Sequence, residues 1–448
     1  MSKKIPFQDV VSIGLMLFAL FFGAGNLIFP PALGQAAGSN IWPAVIGFLI
    51  TGVGLPLLGV LAIGISGSED SQAIAVKVHP IFAVFFMVSI YLTIGPLFAI
   101  PRTGAVAFEI GILPFLPNDG SMNKIGLFLH TLVFFGITYY LSLNPTKLVD
   151  RIGKILTPVL LITLAVILIQ PVLKPMGSFA LPTAEYAINP FFKGFKEGYL
   201  TMDTLASVVF GIVVINAIKD KGVTQPKDIA KVCAGAGLIA SGCLAVIYVA
   251  LAYVGATSVE TFGRAYNGGV VLSSVANHYL GSVGNMILGV AIIFACLTTS
   301  IGLVSSCASY FVKMFPKFTY KQLVGGFTLF STLVANIGLS QLISFSVPVL
   351  VALYPVVMVL IILVFFEPWI NGRREVYVCS IFLTGLISLA DGFQAAGILL
   401  PGVYNWLVQY VPLYDVSFGW VVPAILGVVV GYIVSCINSF KLSLASRM

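Results

Sequence analysis

Residues 21–31, FFGAGNLIFPP, place two glycines, an asparagine and two prolines in the middle of a charge-free apolar run. Gly23 and Gly25 permit unwound backbone and Asn26 brings a side-chain amide. Pro30 and Pro31 are expected to begin a second half-helix, where their missing donors cost least. Two half-helices would then point at one spot. The free amides and positive dipole end of the second half attract an anion such as a carboxylate, and the free carbonyls ending the first half attract a cation. That chemistry suits a zwitterion together with an ion. The same residues also fit a proline-kinked structural helix with close glycine packing.

Two other stretches carry compatible groups. In GYLTMDTLASVVFG, residues 198–211, Asp203 stands between Thr201 and Thr204 in otherwise apolar sequence. A carboxylate there is costly unless it faces a cavity or a partner; alternatively its span starts later and Asp203 caps it near the outer interface. In FACLTTSIGL, residues 294–303, three hydroxyls follow one another. Hard cations take oxygen ligands, which Thr298, Thr299 and the Ala295 carbonyl could supply together with carbonyls of the broken first helix. Serine and threonine runs also back-bond to their own helix. Arg102 and Glu109, seven residues apart, lie nearly on one helical face and are too costly to face lipid. They would gate an outer vestibule, or both snorkel to the interface.

The elements that must hold these groups are membrane helices. Of 448 residues, 59% are hydrophobic and 9% charged, and the mean hydropathy is +1.05, far from soluble domains. After Asp9 the next charged residue is Glu69, which leaves room for two crossings of about 20 residues each. The same reading along the chain gives an all-α polytopic protein with twelve spans. They run over roughly 10–36, 42–65, 80–108, 124–143, 153–173, 196–218, 228–254, 282–312, 321–337, 341–366, 375–391 and 416–440. With both termini cytoplasmic, most of the 23 Lys and Arg fall inside, among them Lys3, Lys4, Lys77, Lys147, Lys219, Lys221, Arg373, Arg374 and Arg447. The net charge of +7 therefore reports topology and requires no nucleic-acid partner. Lys3 and Lys4 precede an apolar stretch too long for a signal peptide, so it reads as an uncleaved first helix.

The connections at about 174–195 and 255–281 are too short to fold alone, so the chain reads as one membrane domain, 1–448. A five-plus-five inverted repeat, about 10–173 and 196–366, would pair span 1 with span 6 and predicts that span 6 is also interrupted. Two extra helices, about 375–440, would follow. The six Cys form no CxxC, and His79, His130 and His278 are scattered. Without HExxH, P-loop or Gly-x-Ser-x-Gly motifs, an enzyme is not expected, and neither is a metal cofactor. A channel also uses broken helices; saturable, counterflow-capable uptake separates a carrier from it.

Gly23-Ala24-Gly25-Asn26 followed by Phe29-Pro30 resembles the interrupted first helix of sodium-coupled amino-acid transporters of the leucine-transporter-type fold, and FACLTTSIGL resembles their eighth helix. FFGAGNLIFPP, TIGPLFAIPRTG (93–104) and GYLTMD (198–203) together resemble the bacterial branched-chain amino acid:cation symporter family, over essentially the whole chain. The resemblance implies uptake of leucine, isoleucine and valine with a cation into the bacterial cell. It also implies a cation site made by the carbonyls of Ala19, Phe22 and Ala295 and the hydroxyls of Thr298 and Thr299. By the same resemblance the substrate carboxylate meets the amides of Ala24 and Gly25, the amino group meets the region of Leu200, Thr201 and Asp203, and Asn26 with Thr201 borders a first cation site. Asp203 departs from the small neutral residue that the sodium-coupled relatives carry there.

The resemblance favours Na+ as the coupling ion, with H+ through Asp203 as the alternative. Relatives of this fold that use protons can place a Lys of span 5 where the second cation would sit. Here the nearby Lys154 begins span 5 in a basic cytoplasmic segment and fits the positive-inside pattern.

Overall fold

In a bilayer every backbone N–H and C=O must find a partner within the protein, so long apolar runs fold as helices and each departure from helix needs a local cause. The computed structural model describes residues 5–66, 72–117, 120–144 and 149–445; Lys3, Lys4, Lys147 and Arg447 of the charge pattern lie outside them. Among the described residues there is no strand, as the all-α expectation required.

The helices run in the order α1 (Phe7–Phe21), α2 (Ala24–Ala37), α3 (Ile41–Leu49), α4 (Leu55–Ser66), the single turn α5 (Ala73–Val76), α6 (Pro80–Leu92), α7 (Ala99–Gly111), α8 (Gly120–Ser142) and α9 (Thr157–Leu173). They continue with α10 (Ala184–Ile188), α11 (Pro190–Glu197), α12 (Asp203–Asp220), α13 (Pro226–Phe262), α14 (Gly268–Met314), α15 (Tyr320–Ala335), α16 (Leu339–Ile370), α17 (Arg374–Ala395), α18 (Pro401–Tyr410) and α19 (Val421–Ala445). Wide π-turns at Ile50–Gly54 and Thr93–Leu97 join α3 to α4 and α6 to α7, so each pair forms one long span.

Helix is present at all twelve expected spans, and nine described stretches are long and apolar enough to cross a membrane by themselves, ten if the bent pair Pro190–Thr201 and Asp203–Asp220 counts as one. The lower number has a geometric reason. α1 has 15 residues and α15 has 16, about 22–24 Å of helix at 1.5 Å per residue against a core of about 30 Å. The connection expected at 255–281 is mostly helical: α13 runs on to Phe262, and residues 268–280 form helix ahead of a break at Gly281, where φ is 61°.

Both expected interruptions are present. Span 1 breaks at Phe22 and Gly23, between α1 and α2. Span 6 breaks at Met202, a non-glycine residue in the left-handed region with φ 66° and ψ 7°, where the chain bends by 44°. The prolines of span 1 are placed differently from expectation. α2 begins at Ala24, and Pro30 and Pro31 lie inside it. The Asn26 amide explains this start, because its Oδ1 accepts from the Gly23 N–H at 3.1 Å and caps the helix a full turn before the prolines. The ring nitrogens of Pro30 and Pro31 have no proton to offer the carbonyls of Asn26 and Leu27.

The broken spans sit at the centre. The most apolar window of α14 is 78% buried, whereas that of the last helix is only 22% buried, and exposed apolar side chains such as Leu173, Leu329 and Phe382 form the lipid-facing rim. Reciprocal glycines let the half-helices pack tightly. A Cβ on Gly34 of α2 would stand 1.9 Å from the Ala252 carbonyl of α13, and one on Gly255 of α13 would stand 2.1 Å from the Pro31 carbonyl of α2. Gly194 of α11 meets the Ala44 carbonyl, and Gly47 of α3 the Phe191 carbonyl, in the same way, at 2.0 and 2.1 Å. Span 1 thus packs on span 7 as span 6 packs on span 2, the correspondence an inverted five-helix repeat implies.

These contacts leave no room for a methyl group. Gly34→Ala and Gly194→Ala should each destabilise the detergent-solubilised protein by about 1–3 kcal/mol through overpacking. Gly136→Ala, whose Cβ would meet nothing within 4 Å, should leave the thermal midpoint unchanged. Unfolding followed by fluorescence on the three variants checks this, and equal midpoints would show that the helices can part without cost.

Candidate functional site

Ending α1 at Phe21 strands a carbonyl. In an uninterrupted helix the Ala19 oxygen would accept from the Gly23 N–H, but that N–H turns to Asn26. The Ala19 carbonyl accepts instead from the hydroxyls of Thr298, at 3.0 Å, and Thr299, at 3.3 Å, both from the middle of α14. Thr298 Oγ1 also reaches the Ala295 carbonyl of its own helix at 2.9 Å, so the back-bonded arrangement and the inter-helix arrangement coexist at this residue. Gly23 is required here: a Cβ on it would lie 2.6 Å from Thr299 Oγ1. Four of the five proposed cation donors, Ala19, Ala295, Thr298 and Thr299, are therefore gathered at one point, all buried. The fifth, Phe22, is the residue that ends α1 beside them.

The second break builds the facing wall. Asp203 is the first residue of α12 and is 2% exposed. Its Oδ2 accepts from Asn26 Nδ2 at 2.7 Å and from the Tyr248 hydroxyl of α13 at 2.9 Å, and Asn26 Nδ2 also touches the Tyr248 oxygen. Asn26 thus spans both breaks, capping Gly23 with its oxygen and holding Asp203 with its nitrogen. Thr201 turns its hydroxyl to the Gly198 carbonyl of its own turn at 2.9 Å, and Thr204 donates to the Thr51 carbonyl at 2.9 Å. Thr51 in turn donates to the Phe195 carbonyl at 2.8 Å, so span 2 ties together the two halves of span 6.

The third wall comes from α7. Arg102 is 4% exposed, and its Nη1 donates to the Leu200 carbonyl at 2.8 Å. A Cβ on Gly25 would lie 2.7 Å from Arg102 Nη2 and 3.2 Å from the Leu200 oxygen, which places the start of α2 directly against the guanidinium. Arg102 and Glu109, expected on one face of span 3, have separate partners. Glu109, a turn and a half or more further along α7, accepts from Asn267 Nδ2 at 2.7 Å and lines a separate outer pocket with Lys124. Seven residues bring two side chains to one face without bringing them to one depth.

Ala24, Gly25, Asn26, Arg102, Thr201, Asp203 and Thr299 line one cavity. Its apolar side is made by Leu20, Phe21, Ile94, Ala206, Phe210 and Leu303, from spans 1, 3, 6 and 8. The cavity measures about 20 Å³, room for about one water, so side chains must move to admit anything larger. Sequence reasoning missed Tyr248, since a lone tyrosine in an apolar span looks like core; its signal is that a buried hydroxyl needs a partner. It also missed Tyr354 of α16, whose ring stacks on Tyr199 at 4.5 Å just before the span 6 break.

The family model described as branched-chain amino acid transport protein matches residues 7–438. The branched-chain amino acid permease BraB of Bacillus subtilis is 52% identical over 97% of both chains. The branched-chain amino acid transport system 2 carrier protein of Pseudomonas aeruginosa is 43% identical over 95% of both. Among solved structures, MHP1, a nucleobase-cation-symport-1 family transporter in a closed conformation, superposes with a TM-score of 0.61 at 14% identity, covering 97% of this chain and 93% of that one. MhsT in complex with L-phenylalanine gives 0.59 at 16% identity, covering 88% and 100%. These two speak for the fold alone, which is of the leucine-transporter type. With a family match across nearly its whole length and close relatives that are permeases and carriers rather than enzymes, the chain is a multi-span membrane protein that belongs to the branched-chain amino acid transport protein family.

Proposed function

We propose that this protein is a secondary active symporter that carries leucine, isoleucine and valine into the bacterial cell by alternating access, coupled to sodium, with both termini cytoplasmic. The substrate reading rests on the names and high identity of the relatives. The sodium reading rests on one observation: the carbonyl stranded by the break in span 1 meets two adjacent threonine hydroxyls of α14, an all-oxygen donor set suited to a hard cation. In this reading Ala19, Phe22, Ala295, Thr298 and Thr299 hold the ion. The amides of Ala24 and Gly25 take the substrate carboxylate; Leu200, Thr201 and Asp203 take its ammonium; and the apolar side of the cavity takes the branched side chain. One sodium ion crossing about 100 mV supplies roughly 2.3 kcal/mol and a tenfold gradient adds about 1.4, enough for accumulation of a few hundred-fold. A second reading, proton coupling through Asp203, is favoured by the burial of that carboxylate between Asn26 and Tyr248.

Purified protein in liposomes separates the two. Leucine uptake at fixed pH should require external sodium, and in a Thr298→Ala, Thr299→Ala double variant the sodium concentration for half-maximal uptake should rise on the order of tenfold or more. Sodium-independent uptake driven by an acid-outside gradient, and lost in Asp203→Asn, would establish proton coupling instead.

Competition measures the pocket. Leucine, isoleucine and valine should displace one another, while alanine should bind about tenfold more weakly than valine, since each lost buried CH2 costs about 0.8 kcal/mol. Lysine and glutamate should not compete, because each would bury an unpaired charge. Strong inhibition by lysine would sink the apolar-pocket assignment.

A further inference from the structure

We propose that Arg102 is the side chain that reads the carboxylate of the transported amino acid, and that the Leu200 carbonyl is where its guanidinium rests until a carboxylate arrives. This rests on the reading above that an amino acid is the substrate, and it replaces the gating role that the sequence spacing pointed to.

Arg102 is poorly provided for. A guanidinium has five N–H donors and is expensive to hold inside a membrane without partners. Arg102 is 4% exposed, yet among the described residues it has one hydrogen-bond acceptor, the neutral Leu200 carbonyl, and one ring, Phe29, at 5.5 Å. Its buried Nε has no partner, and among the described residues no carboxylate lies within 4.0 Å of it. A group of this kind is matched by a planar anion that accepts two N–H bonds at once.

The position of Arg102 points to the same role. Arg102 Nη2 lies against the start of α2, 2.7 Å from where a Gly25 Cβ would be. The N-terminus of α2 carries its own positive partial charge and unpaired amides. Two positive features facing one spot repel each other, and the carboxylate that acts on Arg102 within the protein, Asp203, makes no ion pair with it within 4.0 Å. Across the cavity stands Asp203, held by Asn26 and Tyr248. The cavity is positive on one side and acidic on the other, the polarity of a zwitterionic amino acid and of no simple anion or cation.

An exchange of partners links the two ends of the substrate. The carbonyl that Arg102 occupies is one that the ammonium group would use. When the guanidinium leaves Leu200 for the carboxylate, it frees that oxygen for the ammonium and opens a cavity that otherwise has room for about one water. A ligand with only one of the two groups completes half of the exchange.

The test is a ligand-by-variant cycle, because it separates recognition from support. Binding of leucine and of leucinamide, which keeps the ammonium and side chain but lacks the carboxylate, is measured on purified full-length protein in sodium, for wild type, Arg102→Gln and Arg102→Lys. Wild type should prefer leucine on the order of ten- to a hundred-fold. In Arg102→Gln the preference should fall to about threefold or less, through weaker leucine binding with leucinamide nearly unchanged. Arg102→Lys should lie between the two, since charge remains and the two-pronged geometry is lost. If both ligands weaken equally in Arg102→Gln, the residue is a strut between α7 and span 6 and the proposal is overturned; unchanged leucine binding overturns it as well. If Arg102→Gln does not yield folded protein, the Lys variant decides, and a wild-type ratio there overturns the proposal. A wild type that binds neither ligand overturns the transport reading itself.

Discussion

A polar backbone group inside a bilayer cannot turn to water, and the centre of this protein is arranged around that constraint. Each interrupted span strands a carbonyl. In span 1 it is Ala19, because the Gly23 N–H is taken by Asn26, and two threonine hydroxyls of α14 accept the duty. In span 6 it is Leu200, taken by Arg102 of α7. Span 8 supplies Thr298 and Thr299, and span 3 supplies Arg102, where the breaks leave carbonyls to be satisfied. In the proposed reading, the groups that satisfy the breaks are the same ones that hold the ion and the zwitterion. A uniform helix would have needed none of them and would have bound nothing.

The breaks are held by packing that tolerates no side chain. α2 lies on α13, and α11 on α3, through paired glycines whose Cβ positions fall about 2 Å from the opposite backbone. Thr51, at the π-turn of span 2, joins the two halves of span 6 by bonding to Phe195 and to Thr204. Tyr248, in span 7, instead ties span 1 to span 6, touching Asn26 and donating to Asp203. The residues after α18 add a further hold on α11: Phe418 packs on Phe192 and Phe195 at 4.8 and 4.5 Å, and Lys196 reaches Ser417 at 3.1 Å. The segment between α18 and α19 therefore braces the first half of span 6, a contact that its own sequence does not announce.

What was legible in the sequence is what stands out against an apolar background. The Gly23–Asn26 cluster, Asp203 and the Thr298–Thr299 pair differ in kind from their neighbours, and all of them sit at the breaks or on the stranded carbonyls. Hydropathy likewise outlined the spans, though it missed the helical character of 255–262 and 268–280, whose Ala256, Val271, Leu272, Val275 and Ala276 are buried. Partner choice was not legible. Pro30 and Pro31 suggested a helix start because of their missing donors, but the capping side chain four residues earlier decides it. Arg102 and Glu109 shared a face by spacing, and tertiary packing sent them to Leu200 and Asn267. Tyr248 carries no local mark at all, since its importance arises only when α13 meets both breaks.

The two candidate sites are joined by very few atoms, and this bears on how an ion and an amino acid can be coupled. The chain of bonds runs from Asp203 to the Asn26 nitrogen, from the Asn26 oxygen to the Gly23 N–H, and from the loss of that N–H to the Ala19 carbonyl, which it leaves to Thr298 and Thr299. A ligand that turns the Asn26 amide changes both ends at once. If its oxygen leaves Gly23, the N–H can return to Ala19, the helix of α1 extends by a residue, and the carbonyl is withdrawn from the cation donors. Conversely, a cation that holds the Ala19 carbonyl keeps the Gly23 N–H with Asn26 and keeps the Asn26 nitrogen aimed at Asp203. Reciprocal stabilisation of this kind is what binding linkage requires, and here it needs no long pathway, only the two breaks and the one asparagine between them.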